Sequence, residues 1–253
     1  LSIGCQAVYA LALISDTMTL MTKPLPSLTI FFPVYRDEST IEPLTLASLK
    51  VGRDLTDDLE ILIIDDASPD RAGAIADRLA SEHPEVRVIH HEHNRGYGQA
   101  LMSGWRGATK AYVFYTDGDM QFDVTELPKL VELAAAHELV VGYRLRRAEG
   151  WARALLRRVH HVLLFVLFGA RFRDTDCGFK LISRSLLERV RFRTSGALVD
   201  AELLLQARAL GARIGEVGVH HYLRKSGRST CLNPRLIAQT LRDYLDLRLK
   251  LRA

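Results

Sequence analysis

The first half of the chain alternates short apolar runs with longer segments in which apolar residues recur at helical spacing. The apolar runs predict strands at residues 28–34, 60–64, 86–90, 111–115 and 138–142. The segments between them predict helices at residues 41–51, 70–81, 98–109 and 124–136. Strands that alternate with helices of about a dozen residues indicate βαβ units around a mostly parallel sheet.

The second half has a less regular pattern. It predicts helices at residues 151–168, 198–210 and 234–251 and a strand at residues 213–220. The simplest organisation is one α/β domain over residues 25–232, followed by a basic C-terminal helix over residues 233–253. Residues 1–24 are expected to be a poorly ordered extension. They lack the basic start of a secretory signal and contain Asp16.

Composition and charge exclude several classes of protein. The 253 residues, 48% of them hydrophobic and 25% charged, can bury a sizeable core and argue against a disordered chain. The formal net charge of +4 is too small to indicate nucleic-acid binding. Residues 144–173 nevertheless carry +7 and residues 220–253 carry +6, which leaves −9 on the rest. Two basic segments in an otherwise acidic chain indicate that these segments have functions separate from the rest. The alternative is that they are solvent-exposed faces of helices.

The cysteines and the apolar runs indicate the redox compartment and whether the chain crosses a membrane. Cys5, Cys177 and Cys231 are far apart and form no CxxC pair, which fits a reducing compartment without disulfides or structural zinc. The paired histidines do not have zinc-ligand spacing. The longest central apolar run, residues 162–168, is far shorter than the ~20 residues of a membrane-spanning helix.

Residues that follow the predicted strands are the first candidates for chemistry, because open α/β sheets bind ligands beyond the carboxyl ends of their strands. Acidic side chains are concentrated there, and a cation is expected to join them because uncompensated carboxylates repel one another. A dinucleotide-binding turn is disfavoured, since the segment PVYRDES lacks the glycine-rich pattern. The candidates are Pro33, Tyr35, Asp37, Glu38, Asp65, Asp66, Asp117, Asp119, Gln121 and Arg144.

The segment Asp117-Gly118-Asp119 is the sharpest of these features. Two carboxylates one residue apart at a strand end can both reach a hard cation, and Gly118 lets the turn approach a ligand closely. Gln121 adds a neutral oxygen, and such oxygen ligands suit Mg²⁺ or Mn²⁺. A surface loop is the alternative for so short a motif.

A second basic feature lies near the C-terminus, where Arg224, Lys225 and Arg228 surround a glycine in the segment RKSGRST. The forked guanidinium group of Arg suits phosphate oxygens. The segment therefore predicts a phosphate-binding loop, and a basic loop in solvent is the alternative.

Taken together, the ordered motifs resemble the family 2 glycosyltransferases of the GT-A fold. The most similar branch contains the dolichol-phosphate mannose synthases and the bacterial polyprenyl-phosphate glycosyltransferases. The resemblance runs from about Leu28 to Thr230, and the chain departs from the usual pattern at Arg36, Gly118 and Phe122. Its motifs are PVYRDESTIEPL, EILIIDDASPD, NRGYGQALMSGW, YTDGDMQFD, VVGYR, DTDCGFKLISR, VDAELLLQARALGARIGEV and RKSGRST.

The resemblance implies a nucleotide-diphospho-sugar transferase fold, with a Rossmann-like sheet flanked by helices and a C-terminal amphipathic helical elaboration. It also implies a role for each matching residue. Asp65, or else Asp66, would hold the base of the donor, and Asp119, Arg144 and Asp176 would be catalytic. The nucleotide pocket would be lined by Pro33, Tyr35, Asp37 and Glu38, and the divalent ion would be held by Asp117, Asp119 and Gln121. Phosphates would be bound by Arg144, Arg224, Lys225 and Arg228. The acceptor motif would consist of Asp176, Gly178 and Phe179, and the helix motif that follows it would include Asp200 and Glu202.

The implied reaction is an inverting, metal-dependent transfer from a nucleoside-diphosphate sugar to a polyprenyl phosphate, dolichyl or undecaprenyl in type. This is a step of lipid-linked sugar biosynthesis. A lipid phosphate is already anionic near neutral pH and needs no strong base. Transfer to a glycan or other hydroxyl acceptor is the alternative, and it would need Asp176, or else Asp174, as the base.

The implied location is cytoplasmic, peripheral at the inner face of the membrane. Residues 151–168 and the terminal helix would lie in the membrane interface, and each basic residue near an anionic surface would contribute about 1 kcal/mol. Packing against the sheet is the alternative for both helices. A membrane-anchoring partner is also expected, and no nucleic acid. A nucleotidyltransferase is disfavoured by PVYRDES, and a non-catalytic binding module by the intact DGDMQ.

Overall fold

The computed structural model describes residues 23–145, 151–194, 196, 198–223 and 242–249. The predicted phosphate-binding residues Arg224, Lys225 and Arg228 lie outside these ranges, as do residues 1–22 and most of the predicted terminal helix. The strands are β1 (Leu28–Val34), β2 (Leu59–Asp65), β3 (Val86–His90), β4 (Tyr112–Thr116), β5 (Leu139–Arg144), β6 (Phe179–Ser183) and β7 (Ile214–Val219). The helices are α1 (Ile41–Leu55), α2 (Ala72–Glu82), α3 (Tyr97–Gly107), α4 (Leu127–Ala134), α5 (Trp151–Phe168), α6 (Arg184–Leu187) and α7 (Val199–Ala209). Residues 242–249 are also helical.

The described strands form one sheet in the order β3-β2-β1-β4-β6-β5-β7. β1 runs parallel to β2 and β4, β2 to β3, and β5 to β7, whereas β6 is antiparallel to both of its neighbours. The register places Val34 beside Asp65 at the ends of β1 and β2. The loops that follow β1, β2 and β4 therefore meet at one edge of the sheet, where ligands of such sheets bind.

Helices cover both faces of the sheet because successive strand side chains point to opposite faces. On β1, Ile30 packs in the cluster that contains α1, α2 and α4, whereas Phe31 packs in the cluster that contains α3 and α7. β2 is buried throughout, which explains its mainly apolar sequence, and its buried Glu60 accepts a hydrogen bond from Thr29 Oγ1 at 2.6 Å. A third cluster joins α5, α7 and residues 242–249 around Leu164 and Leu247.

Most predicted strands and helices are present in the structure, with their ends shifted by a few residues. Two differences from the prediction have clear physical causes. β6 was not predicted, because Lys180 interrupts its apolar run, and it makes the mostly parallel sheet a mixed one. Residues 124–136 are not one helix but a 3₁₀ turn at Val124–Glu126 followed by α4. Pro128 lacks an N–H group and therefore suits only the first turn of a helix.

α5 presents two different sides. Its inner side packs through Leu164, whereas Leu155, Val159, Val162 and Val166 are 45–69% exposed. Their spacing of four, three and four residues places these exposed residues on one face of the helix. Among the described residues, no helix is long and apolar enough to cross a membrane.

Candidate active site

The loops after β1 and β4 are in direct contact at the sheet edge. Thr40 Oγ1 donates a hydrogen bond to the carbonyl oxygen of Gly118 at 2.8 Å. A Cβ atom on Gly118 would lie 2.4 Å from the carbonyl oxygen of Pro33, so a residue without a side chain is required here. Asp37 is buried and accepts a hydrogen bond from the N–H of Tyr35 at 3.1 Å. The two loops therefore form one rigid wall of the cleft.

Tyr35 and Glu38, both predicted to line the nucleotide pocket, lie on the rim of this wall. Tyr35 is 41% exposed, and the guanidinium carbon of Arg36 lies 5.3 Å from the centre of its ring. Glu38 accepts a hydrogen bond from the N–H of Arg71 at 3.1 Å, and this bond lowers the pKa of the Glu38 carboxyl group. Tyr35 thus faces solvent at the cleft, while Glu38 is directed toward the start of α2.

Asp117 and Asp119 lie beyond the end of β4, as the sequence predicted. Asp119 is buried and accepts a hydrogen bond from the N–H of Gln121 at 3.0 Å. Burial and the neighbouring charge of Asp119 raise the pKa of Asp117 to about 7. The side-chain amide of Gln121 donates to the carbonyl oxygen of Tyr222 at 3.0 Å, which ties the segment after β7 to this turn.

This acidic pair suits a divalent cation. A raised carboxyl pKa at two close carboxylates shows electrostatic repulsion that a bound cation would relieve. Within the described part of the chain, no group of three or more His, Cys, Asp or Glu side chains could hold a metal ion by itself. The pair therefore matches Mg²⁺ or Mn²⁺, which commonly take one or two carboxylates from a protein and further ligands from substrate phosphates and water.

A buried polar network, which the sequence did not predict, lies beside this pair. Lys180 is fully buried, and its Nζ donates to Asp200 at 2.6 Å, to the Tyr115 hydroxyl at 2.9 Å and to the carbonyl oxygen of Cys177 at 2.6 Å. The Tyr115 hydroxyl also donates to Asp200. A buried ion pair is tolerated only when further hydrogen bonds satisfy both groups, as they do here.

The same network sets the position of Asp117. The Tyr97 hydroxyl donates to Asp117 at 2.9 Å and lies 3.5 Å from Asp200. A Cβ atom on Gly178 would lie 2.6 Å from both carboxylate oxygens of Asp117, so the acceptor motif approaches this carboxylate through a glycine. The predicted donor and acceptor motifs are therefore in contact at Asp117.

Asp65, the preferred base-binding residue, ends β2. Its carboxylate accepts a hydrogen bond from the N–H of Ser68 at 3.0 Å and lies 2.9 Å from Nδ1 of His90. The other ring nitrogen of His90 lies 2.9 Å from Asp77. Burial lowers the pKa of His90, but the hydrogen bonds to these two carboxylates outweigh that effect, and the net pKa is raised.

Asp66 makes a different set of contacts, which hold the loop before α3. It accepts hydrogen bonds from the N–H groups of Arg95 and Gly96, each at 2.8 Å, and lies 2.6 Å from Nδ1 of His91. Both of its oxygens are thus engaged by the protein. Both oxygens of Asp65 are engaged as well, by Ser68 and His90, so these contacts do not distinguish the two aspartates as base-binding residues.

Arg144, predicted to bind phosphate, is held by Asp174. Its Nε and one terminal nitrogen donate to the two oxygens of Asp174 at 2.8 and 2.9 Å, an arrangement typical of strong Arg–carboxylate pairs. Asp174 is almost completely buried. These bonds raise the pKa of Arg144 despite its burial. The arginine at the end of β5 is therefore fixed in place, and much of its charge is balanced within the protein.

Asp176 lies at the mouth of the cleft, with 45% of its side chain exposed. Its Oδ1 is 3.1 Å from Nε2 of His160 on α5 and 3.3 Å from Oγ1 of Thr175. Enclosure by protein raises the pKa of Asp176, but the hydrogen bond from His160 and the charges of Arg144 and Lys180 outweigh it. The net pKa is well below that of an ordinary aspartate, so Asp176 is a weak base.

Glu202, from the predicted helix motif, supports the fold rather than the cleft. It is fully buried and accepts hydrogen bonds from the N–H groups of Arg193 and Thr194 at 2.7 and 2.8 Å. Gln206 adds a further hydrogen bond at 2.8 Å. The glutamate therefore anchors the segment that precedes α7.

A cavity of about 150 Å³ lies beside the acceptor motif, between α5 and residues 170–175. Its walls are largely apolar, and Arg171 and Thr175 contribute polar groups. The Arg171 guanidinium carbon lies 4.6 Å from the centre of the Phe165 ring. The full lining consists of His161, Leu164, Phe165, Ala170, Arg171, Phe172 and Thr175.

The structure thus brings together the loops after β1, β2 and β4, the end of β5 and the acceptor motif. Tyr97, Lys180 and His160 were not predicted as site residues. Tyr97 lies in the NRGYGQ motif and Lys180 is a charged residue between apolar ones, so both had a signal in the sequence. From the sequence, the paired histidines were considered only for metal binding. The contacts of His160 with Thr175, Asp176 and Tyr244 could not be predicted, because these partners lie 15 or more residues away in the chain.

Comparison with known proteins gives consistent results. The model for the family described as "Glycosyl transferase family 2" matches residues 29–191. The undecaprenyl-phosphate mannosyltransferase of Micrococcus luteus is 29% identical over 215 residues, which cover 78% of this chain and 84% of that protein. The undecaprenyl-phosphate 4-deoxy-4-formamido-L-arabinose transferase of Sodalis glossinidius is 31% identical over 173 residues. That match covers 66% of this chain and 53% of the relative, so the chain spans about half the length of the second protein.

Among solved structures, glucosyl-3-phosphoglycerate synthase from Mycobacterium tuberculosis in complex with Mn²⁺, uridine diphosphate and phosphoglyceric acid is similar in fold. The TM-score is 0.71 at 22% identity, and the match covers 88% of this chain and 78% of that one. With the observed sheet order, this likeness confirms the GT-A fold that the sequence motifs implied.

Proposed function

The chain belongs to glycosyltransferase family 2, and we propose that it transfers a sugar from a nucleoside-diphosphate sugar to a polyprenyl phosphate. The observation that carries the choice of acceptor is the environment of Asp176. A hydroxyl acceptor needs a base to take its proton, whereas Oδ1 of Asp176 is already in contact with His160 Nε2 at 3.1 Å and Thr175 Oγ1 at 3.3 Å. A lipid phosphate is already ionised near neutral pH, with a second pKa of about 6, and can attack without a base.

Asp117, Asp119 and Gln121 are proposed to hold a divalent cation, Mg²⁺ or Mn²⁺. When bound there, the ion would neutralise the negative charge that develops on the leaving diphosphate. The protein itself contributes a close approach, because Gly118 and Gly178 keep side-chain atoms out of the space around Asp117. Tyr97 orients the Asp117 carboxylate by its hydrogen bond.

The donor is proposed to lie along the edge formed by β1, β2 and β4. Asp65 at the end of β2 is proposed to contact the base, and Tyr35 offers an exposed ring at the rim. Pro33 and Asp37 form the wall behind it, and Glu38 supports the start of α2. In the transfer step a phosphate oxygen of the acceptor forms the bond to the anomeric carbon as the bond to the diphosphate breaks. The configuration inverts, and a nucleoside diphosphate leaves.

The acceptor is proposed to approach from the side of α5. The exposed stripe of Leu155, Val159, Val162 and Val166 is the kind of contiguous apolar face that marks an interaction surface. Arg158 and Arg171 are exposed nearby, and each would contribute about 1 kcal/mol at an anionic membrane surface. These features support a peripheral position at the cytoplasmic face of a membrane, with residues 233–253 as a second interfacial helix after a catalytic domain of residues 25–232.

The cavity beside Thr175 supports a prenyl acceptor rather than a glycan. Leu164, Phe165 and Phe172 in its walls suit contact with an apolar chain. Both relatives named above are undecaprenyl-phosphate transferases by name. Their names support the same acceptor class for this chain. A membrane-anchoring partner remains part of the proposal.

The test is product formation by the purified protein. It is incubated with Mn²⁺ or Mg²⁺, a panel of UDP- and GDP-sugars and a short polyprenyl phosphate, and sugar-bearing lipid is sought by mass spectrometry. We expect a lipid product with wild type, none with Asp119→Ala, and normal product with Asp54→Ala, a control at an exposed helix position. Donor hydrolysis without lipid product would shift the assignment to a hydroxyl acceptor, and Asp176→Asn would then abolish transfer.

A further inference from the structure

His160 joins three parts of the chain that are distant in sequence. It lies on α5, and its Nε2 is 2.8 Å from Thr175 Oγ1 and 3.1 Å from Asp176 Oδ1. Its Nδ1 is hydrogen-bonded to the hydroxyl of Tyr244, in the helix of residues 242–249. One imidazole ring thus connects α5, the acceptor motif and the C-terminal helix.

The partners of this ring fix the direction of one of its hydrogen bonds. Asp176 is an acceptor, so Nε2 carries a proton and donates toward the acceptor motif. The bond between Nδ1 and the Tyr244 hydroxyl runs from the tyrosine when the ring is neutral and toward it when both nitrogens carry protons. Thr175 accepts from Nε2 and donates its own proton to Asp176 at 3.3 Å. Every group in the chain of bonds is satisfied, which makes a single geometry strongly preferred.

Both helices that carry this contact expose apolar side chains on their outer faces, beside Arg242 and Asp246 on the C-terminal helix. On α5, Val159 and Val162 flank the histidine in sequence and are 45% and 53% exposed, whereas the His160 side chain is 15% exposed. On the C-terminal helix, Tyr244 is buried, while Leu245 is 60% exposed. The helices therefore face outward with apolar side chains and inward with the hydrogen-bonded pair.

We infer that His160 is a positioning residue that holds Thr175 and Asp176 for the acceptor, and that Tyr244 makes the C-terminal helix part of the acceptor site. The inference rests on the proposed function, since it assigns this motif to the acceptor side. It adds a segment that lies beyond the family match at residues 29–191. The hydrogen bond between His160 and Tyr244 joins α5 to the C-terminal helix. A lipid surface that orders these two helices therefore also orders the acceptor motif.

The test separates acceptor binding from donor binding. Tyr244→Phe, His160→Gln and His160→Ala are compared with wild type for the KM of a short polyprenyl phosphate, the KM of the nucleotide sugar, and kcat. We expect Tyr244→Phe to raise the acceptor KM about fivefold, the effect of one neutral hydrogen bond, with donor KM and acceptor-free donor hydrolysis unchanged. His160→Ala raises the acceptor KM further, and His160→Gln recovers part of the loss because its amide can still donate to the motif.

Matched controls and a double substitution make the result decisive. His83→Gln and Tyr112→Phe change the same residue types at the opposite edge of the sheet, before β3 and at the start of β4, and should leave every constant unchanged. In the His160→Ala background, Tyr244→Phe should have no further effect, because its hydroxyl acts through the ring. The inference is overturned if the two effects multiply, or if donor and acceptor KM rise together.

The proposed function and this inference can fail separately. Absence of any lipid product from wild type contradicts the proposed polyprenyl acceptor. The same KM comparison then applies to the hydroxyl acceptor that wild type uses, and an unchanged acceptor KM in Tyr244→Phe overturns the inference there too. Normal lipid product from wild type with an unchanged KM in Tyr244→Phe overturns the inference alone. Thermal unfolding of each variant identifies any general loss of fold.

Discussion

Replacing Asp117 by asparagine should stabilise the metal-free protein at neutral and alkaline pH. The pKa of Asp117 rises from its ordinary value of 3.8 to about 7, because burial and the charge of Asp119 disfavour its ionised form. At ~1.36 kcal/mol per pKa unit, ionising this group in the folded protein costs about 4 kcal/mol. Asparagine avoids that cost and keeps an oxygen for the Tyr97 hydroxyl bond.

The sign of the pH dependence follows from the raised pKa. The stability that protonated Asp117 contributes is fully present below about pH 4 and is lost as pH rises through 7. The advantage of Asp117→Asn should therefore be small at pH 4.5, grow through neutrality and level off near pH 8. Urea unfolding with a chelator present, measured at half-unit pH intervals, gives the difference directly. Asp54→Asn, at an exposed helix position, is the control for loss of one charge.

Adding metal and nucleotide should reverse the order of stability. In the proposed site both carboxylates hold the cation, and a ligand at 100 times its Kd stabilises a protein by about 2.7 kcal/mol. Asp117→Asn should gain much less from Mn²⁺ with UDP. A variant that is less stable than wild type by the same amount at every pH would refute the electrostatic reasoning, since a purely steric defect has no such pH profile.

Three further substitutions test the supports of the site. Gly118→Ala places a Cβ 2.4 Å from the carbonyl oxygen of Pro33, so we expect a loss of about 1–3 kcal/mol in urea unfolding and weaker nucleotide binding by calorimetry. Lys180→Met leaves Asp200 as a buried unpaired charge and should lower the free energy of unfolding by about 3–5 kcal/mol. The double variant Lys180→Met with Asp200→Asn should recover most of this stability, because it removes the unpaired charge. Glu202→Ala leaves the partly buried N–H groups of Arg193 and Thr194 without their acceptor and should cost about 2 kcal/mol. The KM of the donor, measured below the unfolding transition, should stay unchanged.

The order of the strands and helices could be predicted from the sequence because most elements carry an undisturbed pattern. β2 is apolar at almost every position and buried throughout, and α5 occupies the predicted span. β6 could not be found in this way, since Lys180 stands inside its apolar run. That lysine is tolerated because Asp200 and Tyr115 reach it from α7 and β4, and such long-range partners are invisible to local pattern.

The site could be predicted in its location but not in its pairings. The rule that ligands bind at strand ends placed Asp65, Asp117 and Arg144 at one edge of the sheet, and the structure agrees. It gave no reason to expect that Asp174 engages Arg144 through two hydrogen bonds. Nor did it separate Asp65 from Asp66, whose contacts to the loop before α3 depend on how that loop returns to β2.

The charge balance on the acceptor side explains why basic residues beyond Arg144 are needed. Asp174 already balances much of the charge of Arg144, and the low pKa of Asp176 keeps that carboxylate ionised. Binding of an anionic acceptor therefore requires additional cations close to the cleft. Arg171 supplies one beside the cavity, and the predicted phosphate-binding residues Arg224, Lys225 and Arg228 would supply the rest.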